Sequence, residues 1–348
     1  VKKGEIMNSI KAVGFDQHLS IDNPDSFQDI NINVPEAHDH DLLVRVNGVS
    51  VNPVDTFVRK SGRKNRLNKP KVIGWDAVGI VTSTGDEVTL FNKGDRVWYA
   101  GDFTRSGSNA QLQLVDERIV GLSPKNLTDD QAAAIPLVGL TAYESLFEKL
   151  GINWTGNENK TILIINGAGG VGSIAIQLAK LAGLTVIATA SRDKSISWAK
   201  KMGADQVVNH HQDLVAQVRH LNKKYVDYVL NLNNLDAHWN EIAELIKPDG
   251  QIVATTENHR LIDLQKLTKK RATFAWEWMY SKAYFKPATM TSQNQILNHL
   301  AKLYMDNALL PINTINYPLI NASNMRKAHA DVETGSMIGK VVLTGWEK

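Results

Sequence analysis

Along the first third of the chain, apolar and polar residues alternate in short runs. Leu42-Leu43-Val44-Arg45-Val46 and Gly79-Ile80-Val81-Thr82 have the two-residue period of half-buried strands. Turn residues separate such runs at Asn23-Pro24, Gly85-Asp86 and Lys93-Gly94-Asp95. This β-rich texture extends from Ser9 to about Asp116. At Thr128 it changes. Thr128-Asp129-Asp130-Gln131 has the spacing of a capping box, in which hydroxyl and amide serve opposite ends of a helix's first turn. A helical stretch follows towards Leu150, with a bend expected near Pro136.

Beyond it strands and helices alternate. Strands are predicted at Thr161–Ile165, Thr185–Ala190, Tyr225–Leu230 and Gln251–Thr255, and helices at Ser173–Ala182, Ser195–Met202 and Trp239–Ile246. Strands that are apolar on both faces, alternating with helices, specify a doubly wound parallel sheet. An aromatic β-like run, Thr273–Trp278, comes next, then a helix at Gln293–Met305. The tail returns to strand, helix and strand at Ile312–Ile315, Ala322–Glu333 and Lys340–Thr344. The expected organisation is an α/β protein: residues 1–130 form a mostly β catalytic domain, 131–286 a Rossmann-type dinucleotide-binding domain, and 287–348 a segment that completes the first.

Composition narrows the chemistry. The chain has 348 residues, ample for two cores, and a net charge of +3 without a basic block. So weak a field argues against nucleic acid or an acidic membrane as partner. Cysteine is absent, which excludes disulfides, thiolate catalysis, iron–sulfur clusters and Cys-ligated zinc, and leans the expectation towards the cytoplasm. No apolar run reaches the length of a membrane span. The opening VKKGEI has no apolar core of a signal peptide, and Met7 is expected to be the natural start, with six residues of extension before it. His38-Asp39-His40-Asp41 and His210-His211 are the other places where a metal would be sought. Neither has the helical spacing of a ligand pair, and solvated loop histidines account for them.

The strongest chemical signal is Asn166-Gly167-Ala168-Gly169-Gly170-Val171-Gly172. It holds G-x-G-x-x-G between a buried strand and a helix, the setting that a dinucleotide fingerprint requires. Gly167 permits the tight turn, Gly169 lets backbone approach a pyrophosphate, and Gly172 lets the helix pack on the strand. The helix N-terminus offers amide N–H groups to phosphate. At the end of the second strand, where an NAD enzyme carries a carboxylate for the ribose, the chain reads Ala190-Ser191-Arg192. A hydroxyl followed by a guanidinium suits a 2′-phosphate, with Lys194 as a second cation. The expected cofactor is therefore NADP(H); an ordinary solvated loop arginine is the alternative.

These stretches carry a resemblance. With Val49–Asp55, Ile73–Gly79, Gly94–Tyr99, Gly139–Tyr143, Asn166–Gly172 and Gly339–Leu343 in order, the chain resembles the medium-chain dehydrogenase/reductase superfamily over nearly its whole length. Val97–Gly121 is similar to its quinone oxidoreductase-like branch, often labelled zinc-type alcohol dehydrogenase-like. The resemblance implies a GroES-like fold for the mostly β domain. It also implies hydride transfer from NADPH to a quinone or an α,β-unsaturated carbonyl. On the matched motifs, Asn52, Trp75 and Leu137 stand where zinc alcohol dehydrogenases place Cys, His and Cys, so no zinc is expected. Without that Lewis acid, simple alcohol oxidation is disfavoured.

The same resemblance supplies candidates. Asn52 is the first choice to donate a hydrogen bond to the acceptor oxygen. Many relatives place a Tyr where this chain has Phe57, so Tyr99 is the substitute donor. Asp55 is expected to brace the Asn52–Thr56 turn. Thr141 either lies by the cofactor or bonds back within its helix. Asn52, Phe57, Trp75, Tyr99 and Trp278 are the candidate acceptor pocket, although the cluster from Trp276 to Tyr280 reads more readily as interface than as pocket. In the superfamily the last strand of the cofactor sheet pairs with its copy, and Phe274–Trp278 is the expected counterpart in a homodimer. Two rival functions remain at this stage: a zinc-dependent alcohol dehydrogenase, and an NADPH-binding scaffold or sensor without significant turnover.

If Ser191-Arg192 reads the 2′-phosphate, Arg192→Ala will weaken NADPH binding by about tenfold or more, as loss of a charge-assisted bond implies, and leave NADH binding nearly unchanged. Fluorescence titrations with the two cofactors decide it; equal losses for both overturn the assignment.

Overall fold

The structure, a computed structural model, describes residues 9–62 and 66–347. The VKKGEI segment and Met7 lie outside the described residues. In chain order the strands are β1 (Ser9–Phe15), β2 (Gln28–Asn33), β3 (Asp41–Val51), β4 (Lys71–Val72), β5 (Ala77–Thr84), β6 (Arg96–Tyr99), β7 (Leu112–Asp116) and β8 (Val120–Leu122). They continue with β9 (Thr161–Ile165), β10 (Thr185–Thr189), β11 (Gln206–Val208), β12 (Val226–Asn231), β13 (Ile246–Ala254), β14 (Thr273–Trp276), β15 (Asn313–Pro318) and β16 (Lys340–Thr344).

The chain divides into two units. Unit 1 holds Val1–Leu137, Tyr280–Asn307 and Asn313–Lys348; unit 2 holds Val138–Met279 and Ala308–Ile312. Both major boundaries differ from 130/131 and 286/287. Tyr280 goes with unit 1 because its ring packs edge-on against Trp75 and Phe103. The segment 308–312, expected in the catalytic domain, goes with unit 2. There the buried Gln177 amide grips Leu310, whose N–H donates to Gln177 Oε1 at 2.6 Å. A tertiary hydrogen bond from a helix to a loop leaves no periodic trace in sequence.

In unit 1, β2-β1-β4 form one sheet. A second runs in the order β15-β16-β3-β5-β6-β8, with β7 also paired to β3. The tail thus returns to the first part of the chain. β16 runs antiparallel to β3, with Val341 opposite Val51 and Thr344 opposite Gly48. That register sets Lys340 beside the end of β3, where Asn52 begins the helix Pro53–Lys60. The capping box expected at Thr128 opens the helix Asp129–Ala133. The Thr128 N–H donates to Gln131 Oε1 at 3.1 Å, and the hydroxyl also donates to the Asp130 carboxylate. Pro136 does not bend one helix. It opens a new one, Pro136–Tyr143, after Asp129–Ala133 has ended. Missing its N–H, proline is best tolerated in a first turn.

Unit 2 is a six-stranded sheet in the order β11-β10-β9-β12-β13-β14, every pair parallel. β9 is buried along its whole length, as an apolar strand covered on both faces must be. Leu163, Val229 and Ile252 of β9, β12 and β13 share one core with Leu235, Trp239 and Ile242 of the helix Leu235–Leu245. Strand order reverses between β9 and β12. In such sheets that switch point opens a crevice at the carboxyl ends of the strands, where ligands bind. Among the described residues, no helix is long and apolar enough to cross a membrane.

Candidate active site

The polar site of unit 1 is assembled at the end of β3. Asn52, 1% exposed, donates through Nδ2 to Asp76 Oδ2 at 2.8 Å. The same oxygen accepts the Ser50 hydroxyl at 2.7 Å, and Asp76 Oδ1 accepts the Leu137 N–H at 2.7 Å. Lys340 Nζ reaches Asn52 Oδ1 at 2.5 Å, the Val51 carbonyl at 2.9 Å and Asp76 Oδ2 at 3.5 Å. Burial pushes the Asp76 carboxyl up and the Lys340 ammonium down; each one's charge, and the donors on Asp76, push back. The three positions matched to zinc ligands therefore meet around Asp76. Asn52 and Leu137 bond to it directly, and Trp75 precedes it in the chain, its ring edge-on to Tyr280 at 6.3 Å.

Asp55 braces the turn as expected. Its Oδ2 accepts the Asn52 N–H at 2.7 Å. Its other oxygen is buried and has no hydrogen-bond partner. Burial raises this carboxyl to about 7, against the opposing pull of the Asn52 N–H and Lys340, with Asp76 adding a small push upward. Burial also raises the Tyr280 hydroxyl well above its ordinary value, and the two carboxylates add to that. The other candidates are placed less favourably. The Tyr99 hydroxyl is buried and donates to Gln113 Oε1 at 2.9 Å, so it is already committed. Phe57 is 66% exposed on the helix Pro53–Lys60. Trp278 belongs to unit 2, half-exposed beyond β14.

In unit 2 the fingerprint lies where the motif requires. Gly167 to Gly172 connect β9 to the helix Gly170–Leu181, with Gly169 as its N-cap. The glycines differ in why they are needed. A Cβ on Gly172 would collide with the Asn166 carbonyl oxygen and come within 2.7 Å of the Gly167 backbone. One on Gly167 would come within 2.7 Å of Ala188 Cβ. At Gly169 the nearest atom is the Asn166 side-chain amide at 3.1 Å, and its backbone is extended, with φ −74°. Conformation does not demand Gly169 and packing demands it less than the other two; in the fingerprint this is the position where backbone approaches a pyrophosphate.

The carboxyl ends of the strands carry the second indication. Asn231 closes β12 with neither atom of its fully buried amide bonded. Thr256 Oγ1, just past β13, and His210 Nδ1, just past β11, are likewise buried without partners. Buried polar atoms are nearly always satisfied, so such groups at the carboxyl ends of three strands suit a polar ligand. Ser191, Arg192 and Lys194 follow β10. The Ala190 N–H bonds to the Val208 carbonyl at 3.0 Å, which runs the ends of β10 and β11 side by side. Arg192 faces His210, whose ring is held down to about 4 by burial first, then by His211, His238 and Arg192. Ala168, Gly170 and Val171 lie in the fingerprint turn, and Thr141 is buried in the helix Pro136–Tyr143.

Of the loop histidines, His38 pairs with Glu36 at 4.0 Å, and His210 and His211 lie ring against ring. His40 bonds to Glu117 at 2.9 Å and pairs with Glu87 at 3.2 Å, and His238 pairs with Glu241 at 3.2 Å. Sequence reading missed Ser50, Asp76, Lys340, Asn231 and Thr256. A lysine heading the apolar strand Lys340–Thr344, and an asparagine ending an apolar one, were the available signals.

Comparison with known proteins supports the family. Residues 38–125 match the alcohol dehydrogenase GroES-like domain, and residues 170–293 match the zinc-binding dehydrogenase family. A zinc-type alcohol dehydrogenase-like protein of Staphylococcus aureus is 41% identical over 96% of this chain and 99% of its own. The chain belongs to the medium-chain dehydrogenase/reductase superfamily, in its quinone oxidoreductase-like branch. A tomato 2-methylene-furan-3-one reductase is 36% identical over 53% of this chain and 48% of its own. Among solved structures, a putative zinc-dependent alcohol dehydrogenase of Rhizobium etli is 41% identical. It superposes with a TM-score of 0.93 and covers 98% of this chain and 99% of that one. The quinone oxidoreductase of Coxiella burnetii is 27% identical, with a TM-score of 0.78 over 97% and 99%. This superfamily membership makes the chain an oxidoreductase.

Two outcomes follow. Gly169→Ala will keep the wild-type melting temperature and lose dinucleotide affinity, whereas Gly172→Ala will melt several degrees lower; an unchanged NADPH affinity in Gly169→Ala refutes the assignment. Asp55 binds its proton more tightly folded than unfolded, so its contribution to stability is present at low pH and is lost as pH rises from about 4 to about 7. Asp55→Asn removes that loss. Its melting temperature relative to wild type will therefore be more favourable at pH 8 than at pH 5, and a pH-independent difference contradicts the burial of this carboxyl.

Proposed function

We propose that this protein is an NADPH-dependent reductase of quinones or α,β-unsaturated carbonyls that works without zinc. The observation that carries the reading is the donor set around Asp76. An amide, an indole and an aliphatic side chain stand at the positions matched to zinc ligands, and none suits Zn²⁺. A lysine ammonium and an amide N–H occupy the site instead. Such a site can stabilise developing negative charge on an oxygen but offers nothing to strip a proton from an unactivated alcohol. The relatives named for quinone and enone reduction support the same direction of chemistry.

The crevice of unit 2 would hold NADPH. Its pyrophosphate would lie against Gly167 to Gly172 and its 2′-phosphate against Ser191, Arg192 and Lys194. When bound, the cofactor supplies the hydride. The chain's part is to orient and to stabilise. Asn52 donates an N–H to the acceptor oxygen as charge builds there. Trp75 and Tyr280 give the site an apolar wall that disfavours water. The one proton that completes the reduction comes from solvent.

A homodimer is part of this reading. β14 is an edge strand with Trp276 44% exposed, and an apolar edge invites pairing with its own copy.

Oxidation of NADPH, followed against panels of quinones, enones and primary alcohols alongside metal analysis, tests the function. Quinones or enones will be turned over by protein free of zinc. Asn52→Ala will lower kcat by about 100-fold or more, the usual cost of one such donor. Zinc-dependent alcohol oxidation overturns the proposal, as does tight NADPH binding with no acceptor reduced.

A further inference from the structure

Lys340 is buried, and all three of its ammonium hydrogens have acceptors within reach: the Val51 carbonyl, Asn52 Oδ1 and Asp76 Oδ2. The order of these distances is informative. Were the lysine there only to neutralise Asp76, Nζ would lie closest to the carboxylate. It lies 3.5 Å from Asp76 and 2.5 Å from Asn52 Oδ1. The ammonium is seated on the amide.

That contact removes an ambiguity in Asn52. An ammonium only donates and a carboxylate only accepts, so Lys340 selects the oxygen end of the amide and Asp76 the nitrogen end. The amide cannot flip without setting N–H against ammonium and oxygen against carboxylate. One Nδ2 hydrogen goes to Asp76, and the other has no partner among the described residues. A cation on the amide oxygen and an anion on one N–H also polarise the group, which strengthens the remaining N–H as a donor.

We propose that Lys340 is a positioning residue for hydride transfer: it fixes and polarises the Asn52 amide so that the second Nδ2–H is presented to the acceptor oxygen. This rests on the reading of Asn52 as the donor to that oxygen. Lys340 acts through Asn52 and contributes to kcat, since charge on the acceptor develops only in the transition state. The β3–β16 register explains the device. Val341 pairs with Val51, so the preceding residue of β16 falls beside Asn52.

The test is a double-mutant cycle on the purified, NADPH-loaded enzyme, with 2-cyclohexen-1-one and 1,4-naphthoquinone as acceptors. Lys340→Met is expected to lower kcat about ten- to a hundredfold while KM and the NADPH dissociation constant change little. Lys340→Arg, which keeps a donor on the amide oxygen, is expected to recover most of the loss. In the Asn52→Ala background, Lys340→Met is expected to cost nothing more, because the group it orients is gone. The same proportional loss in both backgrounds, or an undiminished kcat in Lys340→Met, overturns the proposal. Should Lys340→Met not fold, Lys340→Gln completes the cycle under the same criteria. A wild-type enzyme that reduces neither acceptor sinks the reductase reading and this role with it. An active wild type with additive losses sinks this role alone.

Discussion

A carboxylate withdrawn from water must find its solvation inside the protein, or take up a proton. Asp76 is wholly buried, and unit 1 is arranged to meet that demand. Its two oxygens accept from Ser50, Asn52 and the Leu137 N–H, with the Lys340 ammonium close by. These groups come from the end of β3, the start of the helix Pro136–Tyr143 and the head of β16, segments far apart in the chain. One ion thus ties the returning tail to the end of β3. Leaving such a charge with one partner fewer would cost several kcal/mol, on the order of a whole domain's margin of stability. That cost makes the cluster rigid, and rigidity is what a donor aimed at a reacting oxygen needs.

Buried polar groups also mark the carboxyl ends of the parallel sheet in unit 2. Its interior is Leu163, Val229, Ile252 and their neighbours, apolar and closely packed. At the carboxyl ends the rule breaks, with Asn231, Thr256 and His210 holding buried atoms that bond to nothing. Packing alone would favour apolar residues there, since an unsatisfied group costs stability. Asn231 stands beside the end of β9, where the glycine turn begins.

Much of this was legible locally. The alternation of strand and helix, the glycine fingerprint and the Ser191-Arg192 tip are short-range patterns, because a parallel sheet with crossover helices writes its period directly into the chain. The absence of zinc-ligating residue types at Asn52, Trp75 and Leu137 was likewise readable from motif positions. Tyr99 shows the limit. A tyrosine next to the matched motif is a fair candidate until β6 turns its hydroxyl towards Gln113. Phe57 shows another, since its place on a helix face decided that it is exposed.

Residue identity therefore determined the class of protein, the glycine turn after β9 and the inventory of possible donors. These depend on neighbours within a few turns of chain. Tertiary structure alone decided which donors are spent and which remain. Strand register brought Lys340 to Asn52 across most of the sequence, seated it on the amide oxygen, and left one N–H of that amide unspent. The head of β16 and the end of β3 have no short-range pattern in common. Only the pairing of the two strands makes them one site.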